Sequence, residues 1–104
     1  MFSTSLILTC LLNSTFVDSS LSIEIQKDTR QVVSAHIFDT PSASYNQLLL
    51  NVITMDESKV ELSGHDQNSE LVLISSELST GSSFGLTTIQ VGSRVESSSC
   101  FISE

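Results

Sequence analysis

The stretch from Gly81 to Gly85 reads Gly-Ser-Ser-Phe-Gly and matches the G-x-S-x-G pattern that surrounds the nucleophilic serine of many hydrolases. In those enzymes the serine stands on a sharp turn between a strand and a helix, within an α/β scaffold much larger than 104 residues. Here a strand pattern follows the motif, with Leu86, Ile89 and Val91 as its aliphatic residues. We therefore interpret the motif as a hairpin loop.

Two histidines and one acidic loop are the other candidates for chemistry. His36 falls inside a strand pattern and His65 in a polar loop, and two isolated histidines are too few ligands for a zinc site. The loop 66–70 offers oxygen ligands at alternate positions, as Ca²⁺ requires, but it lacks the glycine and the closing acid of an EF-hand. No acid, base or metal constellation emerges. We predict no catalytic residues, no metal site, no cofactor and no enzymatic activity.

The charge balance limits the classes of partner. Twelve acidic residues face four basic ones, which gives a formal net charge of -8. Phosphate groups are bound by clustered cations, so this composition argues against nucleic acid and against an anionic membrane surface. Serine and threonine are abundant, and both favour strands and turns over helix interiors.

Residues 1–19 decide the expected compartment. They contain an uncharged apolar run at 6–12, which is too short to span a membrane but resembles the apolar segment of a signal peptide. Val17 and Ser19 would then lie at positions -3 and -1 of the cleavage site. We predict a signal peptide over 1–19, a single β domain over 20–104 and a secreted or extracellular location. Two alternatives stay open: a buried first strand of a cytosolic or virion protein, or an uncleaved interfacial anchor.

The two cysteines, Cys10 and Cys100, depend on the same question. Cleavage would remove Cys10 and leave Cys100 alone, which suggests an intermolecular disulfide or a free thiol. If the segment is retained, a Cys10–Cys100 bond would tie the two ends of the chain together.

Alternating apolar and polar residues predict strands along most of the remaining chain. The clearest is 21–26, where Leu21, Ile23 and Ile25 share one face. The run 45–54 is the longest apolar segment after the N-terminus, and we predict that it is the central strand, paired with or facing 71–74. Turn signals recur about every 10–14 residues, and no convincing amphipathic helix is present. The sequence therefore predicts an all-β fold, a small antiparallel β-sandwich or barrel of about six to seven short strands.

The segment 71–74 is apolar on both faces, because Leu71 and Leu73 alternate with Val72 and Ile74. In a single sandwich one of these faces should point away from the core. We predict that Val72 and Ile74 belong to a surface that binds another chain or a second copy. The alternative is that the terminal segments cover this face.

These patterns predict a class of function and no specific activity. We expect a non-enzymatic, secreted or lumenal β-sandwich module that binds another protein or its own copy, without nucleic acid and without a stable membrane span. The alternative is a structural or assembly subunit of a virion, pilus or matrix. In that alternative, apolar strand faces and Cys100 would form the contacts between subunits.

Overall fold

A computed structural model describes residues 5–78 and 83–103 of the chain. Within these residues the regular secondary structure is entirely β, in nine strands: β1 (Ser5–Leu12), β2 (Ser19–Gln26), β3 (Gln31–Asp39), β4 (Ser44–Gln47), β5 (Leu49–Met55), β6 (Lys59–His65), β7 (Leu71–Glu77), β8 (Phe84–Val91) and β9 (Arg94–Ser103). None of the elements described is a helix with the length and apolarity to cross a bilayer. The all-β prediction is confirmed, while the predicted count of six to seven strands is too low.

All nine strands form one antiparallel sheet in the order β4-β3-β2-β1-β9-β8-β7-β6-β5. Its two outer members, β4 and β5, are separated in the chain by Leu48 alone. The Leu48 backbone N–H donates to the Ala35 carbonyl at 2.9 Å, so the turn from one edge to the other is held against β3. The sheet is therefore nearly closed and barrel-like, and β4 with β5 occupies one of eight positions around it.

The inside of the barrel is filled by apolar side chains from every strand except β4. Buried and exposed side chains alternate along the strands, as the pleat requires. Deep in this interior the Ser76 and Thr87 hydroxyls hydrogen-bond to each other at 2.8 Å. The largest apolar side chains that are fully buried come from five strands: Leu6, Leu8, Leu12, Leu21, Ile23, Ile25, Val60, Leu62, Val72, Ile89 and Val91.

Strand β1 lies within the span predicted to be a signal peptide. It pairs along its full length with β2 and, at its centre, with β9. Its four inward side chains, Leu6, Leu8, Cys10 and Leu12, are at most 2% exposed. Cleavage after Ser19 would remove this strand from the middle of the sheet. The arrangement in the structure is the alternative in which the run 6–12 is a buried first strand.

Cys10 and Cys100 form a disulfide that joins β1 to β9. Their Cα atoms are 4.4 Å apart, and both residues are buried inside the barrel. Of the two possibilities left open by the sequence, this is the bond between the ends of the chain. The prediction of Cys100 as an intermolecular cysteine is therefore wrong for the protein in this form, because its sulfur is already bonded.

Val72 and Ile74 point into the barrel and are 0% and 2% exposed, so their predicted place on an outward partner surface is wrong. Ser76 has the same phase along β7, and its hydroxyl meets Thr87 inside the barrel. The outward residues of β7 are Leu71 and Leu73.

The run 45–54 also differs from its predicted role. It is divided between β4 and β5 and joins the two edges of the sheet, and β6 separates it from β7.

Candidate ligand site at the barrel mouth

The antiparallel order brings four connections to one end of the barrel, which we call the mouth. These are 13–18 between β1 and β2, 40–43 between β3 and β4, 66–70 between β6 and β7, and 92–93 between β8 and β9. Connections from distant parts of the sequence therefore converge at the mouth, where they can form a site.

A cavity of about 520 Å³ opens at the mouth, and we call it the cup. Its walls are the ends of β2, β3, β4 and β9 together with three of the loops. The lining combines apolar, hydroxyl, amide and charged side chains: Thr15, Phe16, Val17, Ser19, Ile37, Asp39, Pro41, Ser44, Asn46, Asn68 and Arg94.

The inward face of the barrel changes character at the cup. Asp39 is two residues beyond buried Ile37 on β3, and Asn46 is two residues before buried Leu48. Arg94 likewise precedes buried Glu96 by two residues on β9. Strand alternation therefore turns all three polar side chains toward the barrel axis. The interior is apolar along most of the strands and becomes polar where it opens to water.

Glu96 fastens the loop 13–18 to β9. Its carboxylate is buried and accepts backbone N–H hydrogen bonds from Asn13 at 2.9 Å, Ser14 at 3.3 Å and Phe16 at 2.9 Å. Burial by itself would raise the pKa of Glu96, but the hydrogen bonds from Phe16, Asn13 and Ser14 outweigh it and hold the pKa below its ordinary value. Glu96 is thus a charged anchor for the wall that carries Phe16.

Asp66 holds the loop 66–70 closed and connects it to β4. One carboxylate oxygen accepts the backbone N–H groups of Asn68 and Glu70, each at 2.9 Å, and the other accepts the Asn46 side-chain amide at 3.1 Å. Burial raises the pKa of Asp66, yet these hydrogen bonds and the charge of Arg94 together lower it below its ordinary value. Both oxygens of Asp66, which could have begun a Ca²⁺ site, therefore already accept hydrogen bonds from the turn and from Asn46.

Arg94 is the cation of the mouth. Its guanidinium carbon lies 5.1 Å from the centre of the Phe16 ring, a cation–π distance, and its nearest carboxylate oxygen is that of Glu70 at 3.7 Å. The other three cations, Lys27, Arg30 and Lys59, lie at the opposite end of the barrel, in the β2–β3 turn and at the start of β6. The cup is therefore lined by one positive and one negative side chain, Arg94 and Asp39.

The two histidines and the serine motif, which were the candidates for chemistry, do not come together in one site. His36 packs its ring against Tyr45 at 5.1 Å, while His65 is exposed on β6. Ser83 precedes a strand, β8, whereas Gly81 and Ser82 of the same motif lie outside the described residues. Among the residues that the structure describes, no three His, Cys, Asp or Glu side chains meet as metal ligands would.

Sequence reasoning missed Arg94 and Glu96 because charged residues beside a turn are normally solvent-exposed. The available signal was the two-residue period that places both residues in phase with Cys100, because cysteine is among the residue types most often buried. Phe16, which contacts both residues, is about 80 positions away in the chain, and no local pattern indicates this contact.

The outer surface carries a second feature, an uncharged face on β8, β9 and β1. Its outward side chains are aliphatic, aromatic, amide or hydroxyl groups, without an acid or a base between Ser5 and Leu11, between Phe84 and Gln90, or between Val95 and Ser103. At its centre Phe84 and Phe101 make an edge contact, with ring centroids 5.6 Å apart.

Comparisons of the chain with profiles of protein families, with curated proteins and with solved structures gave no match.

Proposed function

We propose that the protein is a non-enzymatic binding module that holds a small ligand in the cup. The observation that carries this proposal is the change of the barrel interior from apolar to polar where it opens into a cavity of about 520 Å³. Ligand cavities generally measure about 300–1,000 Å³ and occur in the mouths of β-barrels.

The way in which the mouth is held supports binding. Glu96 and Asp66 fix two loops of the mouth through hydrogen bonds to their backbones. A cup with fixed walls loses little conformational entropy when a ligand enters, which favours affinity. The two buried carboxylates are already occupied by these amides, so the chemistry left to the cup is recognition through Arg94, Asp39 and the apolar wall.

A titration followed by amide NMR tests the proposal. The ¹⁵N-labelled protein is mixed in turn with free amino acids, short peptides, monosaccharides, nucleosides and small carboxylic acids at millimolar concentration. We expect at least one compound to shift the amides of Asn46 and Arg94 in a saturable way. Asn68→Trp should abolish the shifts by filling the cup, whereas Asn51→Trp, on the outside of β5, should not. If none of the compounds perturbs these amides, the proposal fails.

We also propose a secreted or lumenal location. The Cys10–Cys100 bond supports it, because cytosolic thiols are kept reduced whereas structural disulfides persist outside the cytosol. Since β1 is integral to the sheet, we propose that residues 5–12 remain in the exported protein. N-terminal sequencing of native material tests this. A chain that begins at Ser20 would contradict retention of β1.

A second candidate function is assembly, and the uncharged face on β8, β9 and β1 favours it. Large exposed apolar side chains on this face include Leu86 and Phe101, and such surfaces often bind protein. Sedimentation velocity at micromolar concentration would detect an oligomer. Leu86→Lys, in the middle of the face, should dissociate it. A monomer at all concentrations would exclude self-assembly.

A further inference from the structure

We propose that the ligand of the cup is a small zwitterion with an apolar body, whose carboxylate binds Arg94 and whose ammonium group binds Asp39. This is the shared chemistry of free amino acids and short peptides. The inference rests on the proposed function, because it requires that the cup binds a ligand.

Arg94 is suited to a carboxylate because its guanidinium donates no hydrogen bond to the residues that the structure describes. A guanidinium carries five N–H donors in a planar fork that matches two carboxylate oxygens. Its contact with Glu70 is 3.7 Å long, beyond hydrogen-bonding distance, and both side chains are nearly half exposed, at 48% and 43%. Exposed ion pairs of this kind are weak, so a ligand carboxylate can displace Glu70 at little cost.

The Arg94 guanidinium is positioned by an aromatic ring whose own backbone is anchored. It lies over the Phe16 ring, and the Phe16 backbone N–H is bound by buried Glu96 at 2.9 Å. Thr15 adds a second attachment, since its hydroxyl donates to the Val95 carbonyl at 2.8 Å. The chain from Glu96 through Phe16 to Arg94 therefore pre-positions one cation at the edge of the cup.

Asp39 provides the opposite charge on another wall. One of its oxygens accepts the Ser42 hydroxyl at 2.6 Å, and the other makes no hydrogen bond within the described part of the chain. Asp39 stands at the end of β3, and Arg94 at the start of β9. Two strands, β1 and β2, lie between them in the wall, so the separation is three strand spacings, about 14 Å along the sheet. Both side chains reach inward from these positions and shorten the gap that a ligand must bridge.

Apolar side chains line the same cup as the two charges. Phe16, Ile37 and Pro41 all line the cup. A ligand with an aliphatic side chain can therefore pack against an apolar wall, while its carboxylate and ammonium groups meet one residue of opposite charge each. A ligand with one charge would leave either Arg94 or Asp39 without an oppositely charged group of the ligand.

Isothermal titration calorimetry with charge-deleted probes tests the inference on the intact, oxidised protein. The probes are L-leucine, the dipeptide Leu-Leu, N-acetyl-leucine, which lacks the ammonium group, and leucine amide, which lacks the carboxylate. We expect one or both zwitterions to bind, and each singly charged analogue of leucine to bind about tenfold more weakly than leucine. A preference for leucine indicates a free amino acid, and a preference for Leu-Leu indicates a peptide.

Matched variants assign each end of the ligand. Arg94→Gln should weaken the better zwitterion about tenfold and leave leucine amide unchanged, while Asp39→Asn should weaken the zwitterion and leave N-acetyl-leucine unchanged. Lys59→Gln removes a cation at the opposite end of the barrel and should change no affinity. Melting curves check that each variant is folded. The comparison of the four probes on the wild-type protein tests the inference even if a variant fails to fold.

The inference and the proposed function can fail separately. Equal binding of leucine and its charge-deleted analogues, or no binding of either zwitterion, would overturn the inference. If a sugar or nucleoside still shifts the Asn46 and Arg94 amides in NMR, the proposed function stands without it. If no compound shifts them, both are refuted.

Discussion

Reduction of the Cys10–Cys100 disulfide should destabilise the protein by about 4–5 kcal/mol. The two cysteines are 90 residues apart, so the bond closes a loop that contains almost the whole chain. A cross-link restricts the unfolded chain, and for a loop of this length the restriction corresponds to about 4–5 kcal/mol at 25 °C. This is a large share of the stability of a small domain, which totals about 5–15 kcal/mol.

Guanidinium chloride unfolding followed by circular dichroism measures the effect. The oxidised and reduced wild-type proteins have the same side chains, so their difference excludes any cavity left by a substitution. The double variant Cys10→Ala/Cys100→Ala serves as the control, because reductant should not change its unfolding midpoint. We expect a clear fall in the midpoint for wild type alone.

Two results would refute this reasoning. A difference below about 1 kcal/mol between oxidised and reduced protein would mean that the bond does not restrict the unfolded chain as its loop length requires. Disulfide-linked dimers on a non-reducing gel of the folded protein would mean that Cys100 bonds to another molecule, as the sequence alone allowed.

Three further predictions concern polar and backbone contacts. Glu96→Gln should destabilise the protein by about 2–3 kcal/mol in urea unfolding at neutral pH, because hydrogen bonds to a charged group are lost, whereas exposed Glu57→Gln should have little effect. Since folding lowers the pKa of Glu96, its contribution is complete above the ordinary glutamate pKa and is lost as pH falls through the folded value. Stability curves of wild type and variant should therefore converge in acid, and a constant gap would contradict the assignment. Thr87→Val should cost about 1–3 kcal/mol by thermal unfolding because it leaves the buried Ser76 hydroxyl unpaired, and Ser76→Ala in addition should restore much of the loss. Gly64→Ala should cost about 1–3 kcal/mol in the same assay, because its methyl group would collide with the backbone carbonyl of Leu49 on β5. Unchanged stability would mean that β5 does not pack this closely against Gly64.

The sequence predicts local structure in this protein far better than pairing. Alternation along 21–26 gives β2 and its inward residues correctly, because a two-residue period directly reflects the pleat. It cannot show that β1 pairs with β9, since their partners lie more than 90 positions apart. A short apolar run can be a signal peptide or a buried strand, and only its neighbours in space distinguish the two.

The errors at β7 and at the cup have a related cause. Leu71 to Ile74 are apolar on both faces, so the pattern contains no information about which pair points inward. In the structure Val72 and Ile74 share the inward phase of Ser76, whose hydroxyl forms a hydrogen bond with Thr87 inside the barrel. The cup likewise depends on contacts between distant segments, such as Phe16 with Glu96 and Arg94, which exist only in the folded chain.

The stretch 44–55 has a mechanical consequence for the whole barrel. Because β4 and β5 are one run of chain joined through Leu48, the registers of the β3–β4 and β5–β6 seams cannot change independently. A slip of one residue on either side would exchange the inward and outward faces of that half of the run. Leu48 would then have to leave the core or give up its hydrogen bond to Ala35. The position of Leu48 thus couples the strand register of the β3–β4 pair to that of the β5–β6 pair.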